Sequence, residues 1–137
     1  MKLFLDIITP TKVILSEEVD EVTVPTIEGE ISILPNHVNL FTKVNPGEMI
    51  IRKGSKSDLF AVTGGFLEIT NNHINLLADY AIHADDIEIA KVEEAKERAQ
   101  KAMKDKLTEE DFRVASAELA KSLLQLKVVR KRRTRIS

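Results

Sequence analysis

At 137 residues and 15.4 kDa the chain has room for one domain and an appendage, not for a second large domain. Hydrophobic residues at 43% suffice for a core, but aromatics at 4% with no Trp make it aliphatic, and the lack of Cys excludes disulfides, thiolate nucleophiles and thiolate metal sites. The net charge of -2 is unevenly split: residues 1–84 hold six basic and eleven acidic side chains, residues 85–137 fourteen and eleven, so the halves face different partners.

All five glycines and all four prolines lie at or before Gly65. Up to the joint at Ala84-Asp85-Asp86-Ile87, short β-branched and apolar runs alternate with turn residues; beyond it Ala, Glu, Lys, Arg and Leu recur at helical spacing. The fold class is mainly β plus α: an N-terminal β-sandwich over residues 1–84, then a C-terminal antiparallel two-helix hairpin with a basic end over residues 85–137.

In chain order, residues 2–9 alternate as an opening strand with Leu3, Leu5 and Ile7 on one face, and Thr9-Pro10-Thr11-Lys12 turns it back into Val13-Ile14-Leu15. Residues 18–25 alternate as a further strand, and Glu28-Gly29-Glu30 is a tight, exposed acidic turn into Ile31-Ser32-Ile33-Leu34. Asn45-Pro46-Gly47 predicts a type II turn flanked by strands, since Pro sets the first central φ and Gly takes a positive second φ. Met49-Ile50-Ile51 and residues 59–63, 66–70 and 74–78 complete the strand count, separated by Gly54-Ser55-Lys56-Ser57, Gly64-Gly65 and Asn71-Asn72-His73. Gly64-Gly65 is either a bulge with close backbone approach or a plain turn.

Asp85 or Asp86 is placed to cap the first helix, whose stripe is Val92, Ala95, Ala99 and Ala102 or Met103. Residues 104–107 connect it to a second helix that Thr108 caps, with Phe112, Ala115, Leu119, Ser122, Leu126 and Val129 as its stripe. A lone hairpin with so Ala-rich a seam is marginally stable. Its end carries Lys127, Arg130, Lys131, Arg132, Arg133 and Arg135 with no acid in the last eleven residues, which is either a solvated helix end favoured by the dipole or a surface for an acidic partner.

No chemistry-bearing constellation emerges. His37, His73 and His83 have no partner at metal-ligand spacing, no Gly-rich loop matches a phosphate cradle, and no nucleophile-base-acid order stands out, so neither a catalytic centre nor a metal site is expected. No apolar run approaches the ~18 residues that span a bilayer, and the N-terminus has no signal-like apolar region.

The stretches Glu28 through His37 (EGEISILPNH), Val44-Asn45-Pro46-Gly47, Gly64-Gly65-Phe66-Leu67-Glu68 and Leu76-Leu77-Ala78-Asp79, with Ala115-Ser116-Ala117-Glu118-Leu119-Ala120-Lys121 and Gln125-Leu126 in the tail, together resemble the epsilon subunit of the bacterial F-type ATP synthase. The resemblance implies a non-catalytic central-stalk subunit whose sandwich docks on the gamma subunit and the c-ring of a proton-driven rotor, at the cytoplasmic face of the cell membrane and in contact with it only through the complex. By position it makes Glu30 and His37 rotor contacts. It further implies that the hairpin either folds back or extends toward the alpha and beta subunits and blocks hydrolysis, which gives Arg130, Lys131, Arg132 and Arg133 an inhibitory contact. Regulatory ATP binding in the family uses a pattern at the start of the first helix that here reads Ile87-Glu88-Ile89-Ala90-Lys91-Val92; Glu88, Lys91 and Arg98 are the matching positions, but Lys lacks the planar fork of Arg and Val adds bulk, so no cofactor is expected. The alternative from another class is a small β domain whose basic tail binds nucleic acid; an acidic β half and a single Tyr leave it few stacking groups and no basic groove.

Overall fold

The computed structural model describes residues 2–105 and 108–136, with side chains up to Arg132. The chain divides into two compact units, Met1–His83 and Ala84–Ser137.

The first unit holds β1 (Leu3–Ile8), β2 (Val13–Val19), β3 (Glu21–Thr26), β4 (Gly29–Ile33), β5 (Leu40–Val44), β6 (Gly47–Lys53), β7 (Lys56–Val62), β8 (Gly65–Thr70), β9 (His73–Ala78) and β10 (Ala81–His83). Strands pair in the order β10-β7-β6-β3-β5-β8-β9-β1-β2, with β4 on the free side of β3. Only Thr26 opposite Val44 links β3 to β5, so the sheet folds there into two layers, β10-β7-β6-β3-β4 and β5-β8-β9-β1-β2. All pairs are antiparallel except β1 with β9. Leu3, Leu5 and Ile7 share one face because strand side chains alternate, and they are wholly buried with Val22, Val24, Ile33, Met49, Ile51, Leu67, Ile69, Ile74 and Leu76. The core is aliphatic apart from Phe60.

The expected sandwich is borne out, and three local expectations are corrected. The alternation over residues 18–25 is not one strand: the chain bends at Asp20, whose carboxylate accepts the Gly54 amide at 2.6 Å, and Val19 and Val22 both reach the core from separate strands. Asn45-Pro46-Gly47 is not a type II turn, since Gly47 does not take a positive φ. It is a small residue for a different reason, because a Cβ there would sit 3.0 Å from Pro25 Cγ. The strand expected before Asn45 is β5, and β10, only three residues long, was not expected. At Gly64-Gly65 the two open readings resolve to close approach, with φ of 133° and 131°.

The second unit holds a 3₁₀ turn at Ala84–Asp86, α1 (Ile89–Lys104) and α2 (Glu109–Ile136). Asp85 and Asp86 lie in the 3₁₀ turn and do not cap α1; Glu88 occupies the cap position without a side-chain hydrogen bond. Thr108 does cap α2, its Oγ1 accepting the Asp111 amide at 3.1 Å. The helices pack on each other. The α1 stripe holds at Val92 and Ala99, with Ala95, Ala102 and Met103 half-buried. On α2 the seam is Ala115, Ser122, Gln125, Val128 and Val129, with Leu119 and Leu126 half-buried, whereas Phe112 faces solvent. Lys106 and Leu107 of the expected connection lie outside the described residues.

Candidate docking face and hairpin

Strand register builds three parallel rows on the outer face of the β5-β8-β9-β1-β2 layer. The first runs Lys43, Phe66, Leu77, Ile8, Val13, each opposite the next across a strand pair. Phe66, Leu77 and Val13 are 47%, 50% and 59% exposed, and Phe41, 65% exposed, stacks on Phe66 with ring centroids 5.6 Å apart and planes 17° apart. The apolar part of this row, Phe66, Leu77, Ile8 and Val13, crosses four strands with the Phe41 ring stacked at its end, a surface that water covers poorly and a partner covers well.

The second row starts at Phe41 and is polar from there on: Glu68, Asn75, Asp6, Ser16. Asn75 Nδ2 donates to Glu68 Oε1 at 3.4 Å, and His73 Nε2 donates to Asp6 Oδ2 at 2.7 Å. The third row sets Phe4 opposite both His73 and Glu18, with the Phe4 ring edge-on to the imidazole at 5.3 Å. The apolar row is therefore bordered on one side by groups already hydrogen-bonded among themselves. Hydrogen bonds from Ser16 and then His73 hold the Asp6 carboxyl below the ordinary carboxylate range. A carboxyl depressed in the folded state stabilises the fold above its unfolded value near 3.8, and that stability disappears as pH falls through the lower folded value. Urea midpoints should accordingly fall as pH drops from about 5 toward 2, less steeply for Asp6→Asn than for the parent. Superimposable acid limbs would mean that the Asp6 bonds do not couple to folding.

Glu30 is exposed on β4, and His37 lies in the loop that leaves it; neither belongs to the apolar row. His37 is half-buried, its Nδ1 donating to the Val38 carbonyl at 2.8 Å. Two asparagine bonds tie its loop to the turn between β8 and β9: the Asn36 amide, at a φ of 69°, donates to Asn72 Oδ1 at 2.6 Å, and the Asn71 amide to Asn39 Oδ1 at 3.2 Å. The loop is thus held in one conformation, with Leu34 and Val38 exposed on it. Reading residue by residue missed the apolar row. The signal was present in Ile7-Ile8, Phe66-Leu67 and Leu76-Leu77: adjacent residues on a strand point to opposite faces, so each pair puts one apolar side chain outside.

In the hairpin, Glu88 and Lys91 pair with each other at 2.9 Å, and the Glu88 hydrogen bond raises the Lys91 pKa. Lys91 and Arg98, one heptad apart, share an exposed face, while Ile89, Glu93 and Lys96 line another with Leu126, Val129 and Arg130 around a groove of about 250 Å³. The three positions matched to nucleotide sensing therefore do not converge on the groove between the helices. At the basic end Arg132 pairs through Nε with Asp85 Oδ1, and Arg130 and Lys131 have interactions of their own. The Arg133 side chain lies outside the described residues. No helix among the described residues is long and apolar enough to cross a membrane.

Two family models match and together cover residues 2–130: the ATP synthase delta/epsilon chain β-sandwich domain over residues 2–84 and the ATP synthase delta/epsilon chain long α-helix domain over residues 85–130. The chain is 40% identical over 135 residues to the ATP synthase epsilon chain of Herpetosiphon aurantiacus, spanning 98% of this chain and 99% of that one. With the epsilon chain of Dehalococcoides mccartyi identity is 42% over 133 residues, spanning 96% and 95%. Among solved structures it resembles a chain of the Euglena gracilis mitochondrial ATP synthase (TM-score 0.66, 20% identity, 99% of this chain and 82% of that one). It also resembles a chain of the central stalk and c-ring of the Tetrahymena thermophila enzyme (TM-score 0.65, 19%, 94% and 97%). At those identities the structural likeness speaks for the fold.

Proposed function

We propose, from the premise that this chain belongs to the delta/epsilon family of ATP synthase subunits, that its sandwich docks on the gamma subunit and the c-ring of a proton-driven rotor, and that its hairpin restrains ATP hydrolysis. The observation that carries the docking half is the exposed row Phe66, Leu77, Ile8, Val13 with Phe41 stacked at one end. Apolar area of this kind contributes to association roughly in proportion to what is removed from water. Glu30 and His37, on and just beyond β4, are assigned to the rotor as polar contacts, His37 on a loop already ordered for binding. Chemistry stays with the catalytic subunits. The site is peripheral, reaching the cytoplasmic face of the membrane through the complex.

The inhibitory half rests on the seam. Ala99, Ala115, Ser122 and Gln125, small or polar, dilute a seam whose larger buried side chains are Val92, Val128 and Val129, so unpacking α2 exposes a limited apolar surface for which an alternative seat on the alpha and beta subunits can compete. Arg130, Lys131, Arg132 and Arg133 are the cations such a seat would engage. Regulation needs no nucleotide in this reading, because Glu88 satisfies Lys91 internally. The nucleic-acid alternative finds no support on the sandwich: its two stacked phenylalanines face each other, with Glu68 beside them.

Removing the chain beyond Ala84 separates the two halves experimentally. The fragment should stay folded and co-purify with gamma, since the core of the first unit draws only on residues 3–81, while the assembled enzyme should hydrolyse ATP faster than one with the full chain. A folded fragment that fails to assemble would overturn the docking assignment, and unchanged hydrolysis would overturn the inhibitory one.

A further inference from the structure

The hairpin is self-complementary in charge. Asp85, Asp86 and Glu88 precede or open α1, and Arg130, Lys131 and Arg132 close α2. At the other end Lys101 and Lys104 finish α1, and Glu109, Glu110 and Asp111 start α2. Each group suits the dipole of its own helix, and folding the helices antiparallel sets acid against base at both ends. The groove residues confirm that direction, since Ile89 and Glu93 from the start of α1 meet Val129 and Arg130 from the end of α2.

Arg132 Nε pairs with Asp85 Oδ1, joining the C-terminal part of α2 to the turn before α1, and Asp85, Arg130 and Lys131 have further interactions besides. Beneath it the seam offers Val92 and Ala99 against Ala115, Ser122, Gln125, Val128 and Val129. Two of those seven are polar and two are alanine, so the apolar contribution is modest and a single well-placed pair carries weight in the balance. We infer that Asp85–Arg132 is a latch that holds the hairpin shut. The same guanidinium that would reach an acidic partner is occupied at home until the latch opens, so closure and partner engagement compete for one side chain. The second clause of this inference rests on the inhibitory reading above; the latch itself does not.

The test uses the full chain, whose lack of cysteine makes Ala90→Cys and Leu123→Cys, both at exposed positions, unique sites for a donor and acceptor dye. At low salt Asp85→Asn and Arg132→Gln should each raise the open population about two- to five-fold, the range expected of one partly exposed pair. The double variant should open no further than either single one. In about 1 M salt, where the screening length is about 3 Å, the difference from the parent should shrink. Additive effects of the two single variants would overturn the latch. If Asp85→Asn, which leaves every cation of α2 in place, opens the isolated chain but leaves hydrolysis by the assembled enzyme unchanged, the latch stands and the inhibitory reading falls.

Discussion

Gly65→Ala is expected to cost the sandwich about 2–6 kcal/mol, enough to unfold it outright at the stability usual for small domains. Two terms add. At a φ of 131° an L side chain is strained by about 1–3 kcal/mol. A Cβ built there also lies 2.0 Å from the Leu77 carbonyl oxygen and 2.8 Å from Ala78 Cα, so β8 and β9 would have to separate, an overpacking cost of about 1–3 kcal/mol. Gly64 provides the control, because its φ of 133° carries the same strain while its nearest neighbour, Asp79 Oδ2, is 3.4 Å away. Gly64→Ala should therefore cost about half as much. Equal urea midpoints for the two variants would show that the close approach of β8 to β9 contributes nothing.

The second large effect is on assembly. Phe41→Ser with Phe66→Ser should weaken co-assembly with gamma by at least about 30-fold, because truncating one buried aromatic at the centre of an interface costs about 2 kcal/mol or more and the stacked pair acts as a unit. Thermal unfolding of the isolated chain should change little, since both rings are outside the core. That combination distinguishes a docking surface from a structural one. Retained assembly with the parent affinity would mean that the partner sits elsewhere on the sandwich, and a large drop in stability would mean that the rings are part of the fold.

Much of the architecture was legible because period decides it. Leu3-Leu5-Ile7 and Val92-Ala99 announce their faces, and the loss of glycine and proline after Gly65 separates sheet from helix. What was not legible depends on contacts distant in sequence. Gly47 is small because Pro25 lies against it, and nothing in Asn45-Pro46-Gly47 says so. Val19 and Val22 belong to different strands because Asp20 binds the Gly54 amide far along the chain. Phe112 sits on the helical period of its neighbours and is exposed all the same, because the seam leaves that flank of α2 uncovered. Of the residues proposed for docking, Glu30 and His37 came from the resemblance to a known family, whereas the apolar row needed strand register to join Phe66 to Leu77, Ile8 and Val13.

The parallel pairing of β1 with β9 has a consequence for chain entropy. Leu5 lies opposite Ile74, so forming that pair closes a loop of nearly seventy residues, about 2.5 kcal/mol costlier than closing a four-residue hairpin. The local hairpins β1–β2, β3–β4, β6–β7 and β8–β9 close short loops, so the pairing of the β1–β2 hairpin with β9 is the entropically costliest closure in the sheet. Since the outer row passes through Ile8 on β1, its apolar side chains come into line only with that closure. A chain in which β1 has not paired with β9 does not present the row as one surface. Everything inside that loop precedes Ala84, so its closure draws on no residue of the helices.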